Sequence, residues 1–250
     1  MAQVLRDNGI KFTQSEYYRD VESGDLREID LSIRISLRDY DEEMPGIYLC
    51  PVIECKSSPG KPWILFSGGV TLSDSAKIAQ RYVLKRAWNH WRNFANQVVR
   101  GHVVPEPWPL HFPSFSYSDP PAYSAVRTSL GKSREDAAYG AMTSATKASY
   151  GIANQYPAHR NAALQIAMPV IVVDAPIYSC KLGTRGEPEI ERVSKGTIVW
   201  RNRVLAESVG HPIITILSEE AVPEFCSDLN QTAQSLRAYF ERYPWYDRQM

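Results

Sequence analysis

The sequence predicts an α/β fold in which a mixed β-sheet is flanked by helices, and three observations point to it. Apolar and β-branched residues recur at the two-residue spacing of strands in several short runs. Longer segments carry apolar residues at the three-to-four spacing of amphipathic helices. At 250 residues the chain can bury one substantial core, and neither an internal repeat nor a composition break divides it.

The strand signal is clearest in Leu26-Arg27-Glu28-Ile29-Asp30-Leu31-Ser32-Ile33-Arg34-Ile35. Ile29, Leu31, Ile33 and Ile35 fall on one face of an extended chain, with Glu28, Asp30, Ser32 and Arg34 on the other, the pattern of a half-buried strand with acids on its wet side. A second run, Pro51-Val52-Ile53-Glu54-Cys55-Lys56-Ser57-Ser58, ends an apolar stretch with an acid and a base two positions apart. Glu54 and Lys56 then share a face, and Ile53 and Cys55 share the other. If the two strands pair, Asp30 can stand beside Glu54 and Lys56, an oxygen-rich cation site with a lysine at its rim; register itself is not fixed by sequence.

Ahead of these runs, Thr13 or Ser15 can cap a short helix through Val21, with Glu16 in its first turn and Gly24 breaking toward the Glu28 strand. Residues Asp39 to Gly46 form an acidic turn, Ser57 to Pro62 closes the Glu54 strand, and Trp63-Ile64-Leu65-Phe66 supplies a third strand. Ser73 caps a long helix whose Ala79, Tyr82, Val83, Ala87, Trp91, Phe94, Ala95 and Val98 make a core stripe. Lys77, Arg81, Lys85, Trp88 and Arg92 advance along another face of it. Cations beside an indole can track a phosphate backbone while the ring stacks on a base; a solvated charged face is the plainer reading of the same spacing.

From Val104 to Tyr123 prolines alternate with aromatics, a surface segment expected to wrap over the core. Gly131-Lys132-Ser133 lacks the preceding glycine of a phosphate-binding loop, since Val126 stands in its place. Ser133 instead caps a helix through Tyr150, rich in Ala138, Gly140, Ala141, Ser144, Ala145 and Ala148, which permit close approach to another element. Lys147 and Ser149 carry no assigned role there. Met168 to Val173 is a strand buried on both faces, and Asp174 at its end is read as bonding loop amides. Ile177–Leu182 and Thr197–Arg201 form a strand pair around the turn-rich Gly183–Pro188 segment. Ile213–Leu217 is the last strand, and Ala221–Tyr243 a closing helix with Phe225, Leu229, Leu236 and Phe240 inward.

Lys+Arg and Asp+Glu each number 28, so the formal net charge is zero. That argues against high-affinity nucleic-acid binding by the surface as a whole and leaves only a local patch. Cys50, Cys55, Cys180 and Cys226 form no C-x-x-C pair, and His90, His102, His111, His159 and His211 are scattered, so a structural zinc has no support. No Gly-x-Ser-x-Gly occurs. The N-terminus lacks the apolar core of a signal peptide, and no apolar run reaches the roughly 18 residues of a membrane span. A soluble, cytoplasmic protein with reduced thiols and no membrane partner is expected.

Arg27-Glu28-Ile29-Asp30, followed by Ile53-Glu54-Cys55-Lys56, resembles the active-site signature of the PD-(D/E)xK nuclease superfamily, the restriction-endonuclease-like fold. Phe12-Thr13-Gln14-Ser15-Glu16-Tyr17-Tyr18 resembles the first-helix glutamate segment of many members. The three motifs stand in the family's order within the N-terminal part of the chain, and Ile29 occupies the position of the name-giving proline. The resemblance implies a restriction-endonuclease-like mixed sheet that opens with a helix and an antiparallel meander of three strands. It also implies a Mg²⁺-dependent nuclease in which Mn²⁺ can substitute, acting on DNA rather than RNA and as an endonuclease rather than an exonuclease, in phage defence or DNA repair. On that pattern Asp30 and Glu54 hold the ion together with the backbone carbonyl of Cys55. Lys56 orients or helps deprotonate the water and stabilises developing charge, and Glu16 completes the metal sphere or positions a second ion. Two other readings stay open: a nuclease-fold scaffold or sensor subunit without catalysis, which zero net charge and the Pro/aromatic segment suit, and an effector nuclease activated only by a protein partner or by homo-oligomerisation.

Overall fold

Two apolar strands lie side by side at the centre of the molecule. In the computed structural model, which describes residues 1–39, 46–83, 88–100, 112–116, 120–127, 136–155, 164–201 and 211–242, β4 (Ile47–Lys56) and β7 (Leu164–Val173) run parallel in unbroken register from Ile47↔Leu164 to Lys56↔Val173. All ten residues of β7 are buried, as a parallel strand covered on both faces requires. Each strand carries a proline, a residue without an N–H for a sheet ladder. Pro51 sits where β4 exchanges one neighbour for another, β3 (Ile35–Arg38) for β2 (Leu26–Ile33). Pro169 directly precedes Val170, where β11 (Ile213–Ser218) joins the free side of β7.

The sheet extends from this pair in both directions. Toward one edge, β4 is followed by β2 and then β1 (Phe12–Arg19), each antiparallel to its neighbour, and α1 (Ala2–Asp7) precedes β1 in the chain. Toward the other lie β11, β10 (Lys195–Val199), β6 (Ala122–Arg127), β5 (Trp63–Ser67), β8 (Ile177–Leu182) and β9 (Pro188–Val193). With β3 paired to β4, the mixed sheet has eleven strands.

Alternation along β4 and β7 divides the core between two helical layers. Ile47, Leu49 and Ile53, with Ile166, Met168, Val170 and Val172, pack with Leu5 of α1, with Trp91 and Phe94 of α3 (Trp88–Arg100), and with Phe225, Leu229 and Phe240 of α5 (Val222–Arg242). On the opposite face α4 (Ala137–Ala153) lies close to the sheet because its buried side is built of Ala138, Ala141, Ala145 and Ala148. Ala141, Met142 and Ala145 meet Ile171, Val173, Ile214 and Ile216. Ala148 and Ile152 meet Tyr18, Ile29 and Val52. Among the described helices none is long and apolar enough to cross a membrane.

Four sequence expectations are corrected. Residues from Thr13 onward form strand β1, not a capped helix; the chain turns through Gly24 (φ +76°) and β1 pairs back onto β2, burying Tyr18. α1 precedes this strand, outside the segment expected to be helical. The expected helix from Ser73 to Val98 is interrupted: α2 (Asp74–Ala79) ends, and Tyr82 then exchanges two backbone hydrogen bonds with Ala167 (3.0 and 2.7 Å). Ala167 lies on the side of β7 before β11 begins, so Tyr82 satisfies buried polar groups that no strand reaches. Trp63–Ser67 is a strand but pairs with β6 and β8, not with the Glu54 strand, and Lys195–Val199 pairs with β11 instead of with β8. The acidic turn at 40–45, most of the Pro/aromatic segment and Ser133 lie outside the described residues.

Close approach of α4 to β1 yields a test. A β-carbon at Gly151 would run into the Tyr18 ring and the Arg19 carbonyl, and Tyr18 is buried and cannot swing aside. Gly151→Ala should therefore destabilise the protein by about 1–3 kcal/mol in chemical denaturation, although alanine is the better helix former.

Candidate active site

β2 and β4 separate at their shared end, and the candidate residues gather in that fork. The paired positions are Leu31 with Ile53 and Ser32 with Val52. Asp30 and Glu54 lie one step beyond the Leu31–Ile53 pair, where the pairing has ended. There the Asp30 side chain takes over from the ladder: Oδ2 accepts the backbone N–H of Cys55 at 2.7 Å. Ser15, across from Asp30 on β1, has φ +52°, and the β1–β2 pairing skips the two. A left-handed residue that is not glycine is strained backbone, of a kind that collects at functional sites. The break also reverses alternation. Ile29 packs under α4 while Leu31 packs in the opposite layer, two residues that a regular strand would keep on one face. The expected single apolar face of Ile29, Leu31, Ile33 and Ile35 is thus corrected, and Ser32 is buried instead of wet.

On β4 alternation holds. Ile53 and Cys55 face the α1/α3/α5 layer, while Glu54 and Lys56 share the α4 face and form an ion pair between Oε1 and Nζ. This is not a surface pair: Glu54 is 7% exposed, and Ser144 of α4 donates its hydroxyl to Oε2 at 3.2 Å. Burial raises the Glu54 pKa above the ordinary carboxylate value; Lys56 and the Ser144 hydroxyl pull it down, and the charge of Asp30 adds to the rise. Burial, with Asp30 next, pushes the Cys55 thiol up to about 11, so it stays protonated and is no nucleophile at neutral pH.

Glu16 lies on β1, and its carboxylate accepts the Ser32 hydroxyl with Arg34 Nη2 at 3.8 Å. It is directed along the sheet toward Ser32 and Arg34. Among the described residues no group of three or more His, Cys, Asp or Glu gathers as a metal-binding set. The acids brought together are two, Asp30 and Glu54. Asp174 accepts the Ser58 amide and the Ser57 hydroxyl just beyond β7, the loop-bonding role read from the sequence.

The basic stripe does not form one helix face, because the chain between α2 and α3 is not helical through Arg81 and Tyr82. Arg81 is buried, its guanidinium 4.9 Å from the Phe115 ring centroid and donating to the Phe115 carbonyl at 3.4 Å. Lys77 bonds Asp74 at 3.1 Å, Trp88 packs against the core, and Arg92 is exposed. Lys85 lies outside the described residues.

A second charged group, missed in the sequence, adjoins the fork. Asp20, fully buried after β1, accepts Arg27 Nε at 2.9 Å, Lys147 Nζ at 3.3 Å and the Glu22 amide at 2.9 Å. Lys147 also pairs with Glu22. Burial alone would raise the Asp20 pKa, but the Glu22 amide and Lys147 outweigh it and hold it below the ordinary value. The Tyr18 hydroxyl is raised by burial first and then by Asp20, with Glu54 adding, so the two acidic groups share surroundings. Ser144 and Lys147 stand three positions apart on α4. The one signal for them in the sequence is the run of small residues that brings this helix close.

No family model, no curated protein and no solved structure matches the chain. The fold itself is a mixed α/β architecture, a large mixed sheet flanked by helices.

Two measurements check these assignments. Because Glu54 is raised, its contribution to stability is greatest below the unfolded carboxylate pKa and declines as pH rises through the folded value; for Asp20, which is lowered, the contribution is present above the unfolded pKa and is lost as pH falls through the folded one. In metal-free denaturation series Glu54→Gln should gain on wild type as pH rises from 4 to 7 on the order of these groups' titration range. Asp20→Asn should instead lose about 2 kcal/mol at neutral pH and converge with wild type in acid. Separately, Arg81→Ala should lower the melting temperature while Arg92→Ala leaves it in place, since only the first removes a buried side chain.

Proposed function

We propose that the chain is a divalent-metal-dependent phosphodiester hydrolase, a nuclease of the PD-(D/E)xK type with a restriction-endonuclease-like core. The observation that carries the reading is the fork: where the β2–β4 pairing ends, the Asp30 carboxylate accepts the Cys55 amide at 2.7 Å, next in the chain to Glu54, which bears Lys56.

The donor set suits Mg²⁺ or Mn²⁺. Such ions are commonly bound through one or two carboxylates, with waters and substrate phosphate completing the sphere. Asp30 and Glu54 would hold the ion, with the Cys55 carbonyl beside them. A buried acid whose pKa is raised partly by a neighbouring carboxylate is a site where added positive charge is favourable. When bound, the ion supplies charge neutralisation on the phosphoryl group and lowers the pKa of water. Lys56, about one-third exposed, can reach solvent and the rim, where its ammonium orients water and stabilises developing negative charge. Glu16 would act through the Ser32 side of the meander, as an aid to a second ion or to positioning. DNA is favoured over RNA by the family resemblance alone.

The scaffold reading draws on one specific observation: both acids already have protein partners, Asp30 the Cys55 amide and Glu54 the Lys56 ammonium. One experiment separates the two. Mg²⁺ or Mn²⁺ should raise the melting temperature of wild type but not of Glu54→Gln, because an ion that binds only the folded state stabilises it by mass action. Lys56→Ala should keep the thermal shift and lose about 10²-fold or more in cleavage of mixed DNA and RNA. A wild type without metal-induced shift and without cleavage, alone or with candidate partners, would assign the fold to a scaffold.

A further inference from the structure

A glutamate near the end of a strand would ordinarily extend its three rotatable bonds toward water. Glu54 does not: it is 7% exposed beneath α4, and its two oxygens have different partners, Oε1 the Lys56 ammonium and Oε2 the Ser144 hydroxyl. We propose that Ser144 is a positioning residue for Glu54, holding Oε2 from α4 so that Oε1 stays turned toward Lys56 and the Asp30 side of the fork. The inference rests on the reading of Glu54 as an ion-holding acid and adds the residue that keeps this acid in place.

Three observations support the role. Ser144 can reach the sheet because α4 approaches on alanines, with Ala141, Ala145 and Ala148 fully buried. The helix is also anchored beside the same strands, since Lys147, three positions on and therefore on the same side, bonds Asp20 at 3.3 Å and pairs with Glu22. Asp20 in turn receives Arg27 Nε of β2 at 2.9 Å. Consecutive contacts from one helix thus reach the acid of β4 and the turn between β1 and β2, the two sides of the fork. Finally, the chemistry suits a division of labour. A neutral hydroxyl holds one carboxylate oxygen without cancelling its charge, leaving the other to a cation, which in this structure is an ammonium. Hydrogen-bonded supports of this kind orient acids that bind metals.

The test compares Ser144→Ala and Ser144→Thr in the full chain by two readouts. The first is the side-chain carboxyl ¹³C resonance of Glu54 in metal-free protein, assigned through Glu54→Gln. The second is Mn²⁺ affinity. Ser144→Ala should move the Glu54 resonance and weaken Mn²⁺ binding about tenfold, with little change in melting temperature because alanine suits a helix. Ser144→Thr, which keeps the hydroxyl, should restore both. A Glu54 resonance unmoved in Ser144→Ala, or alanine and threonine variants that behave alike, would overturn the role. If the resonance moves as expected but wild type neither binds Mn²⁺ nor cuts nucleic acid, the Ser144 contact stands and the metal reading is the one that fails.

Discussion

The parallel pairing of β4 with β7 is the constraint on which the other elements depend. Ten consecutive positions are joined, from Ile47↔Leu164 to Lys56↔Val173, and nearly all their side chains are enclosed by helices on one face or the other. The pair sets the level at which α4 must lie, and hence why that helix presents alanines. It also determines where polar chemistry can occur. Along most of β4 there is no room for charge, so Glu54 and Lys56 stand at the carboxyl end, where β2 diverges on one side and Asp174 closes the loop on the other.

Two acids near this end are treated in opposite ways. Asp20 has no exposed surface, yet its pKa is lowered, because two backbone amides and two cationic side chains converge on it. Glu54 has one ammonium and one hydroxyl and a second carboxylate nearby, and its pKa is raised. At Glu54 burial is the largest influence and raises the value; at Asp20 the donors outweigh it. The first acid is a completed structural tie between α4 and the β1–β2 turn. The second stays within a single ion pair and one hydroxyl contact.

Much of this was legible in the sequence where local periodicity and burial agree. The alternation of Glu54 and Lys56 against Ile53 and Cys55, the uniformly apolar Met168–Val173 and the inward stripe of Phe225, Leu229, Leu236 and Phe240 all keep the faces that their spacing assigns. Failures occur where a distant partner outweighs a local signal. Thr13 and Ser15 are good helix caps, but Phe12–Arg19 is stabilised by pairing with β2, an interaction that no window of local sequence contains. Arg81 fits a basic helical stripe by spacing, yet the unpaired edge of β7 draws Tyr82 into a bridge and takes Arg81 under Phe115. The change of face between Ile29 and Leu31 falls at Asp30, across from the left-handed Ser15, where the β1–β2 pairing skips both. Ser144 and Lys147 were invisible as site residues because their partners, Glu54 and Asp20, lie far away in the chain.

The central pair has a consequence for how the molecule comes into being. Ser57 and Asp174, bonded where β4 and β7 end, are separated by 117 positions. During synthesis β4 therefore emerges long before the strand that covers its side, and until then Leu49, Val52 and Ile53 border an open hydrogen-bonding edge. Sheets closed by such distant contacts fold slowly, and their waiting edges are prone to join the wrong chain.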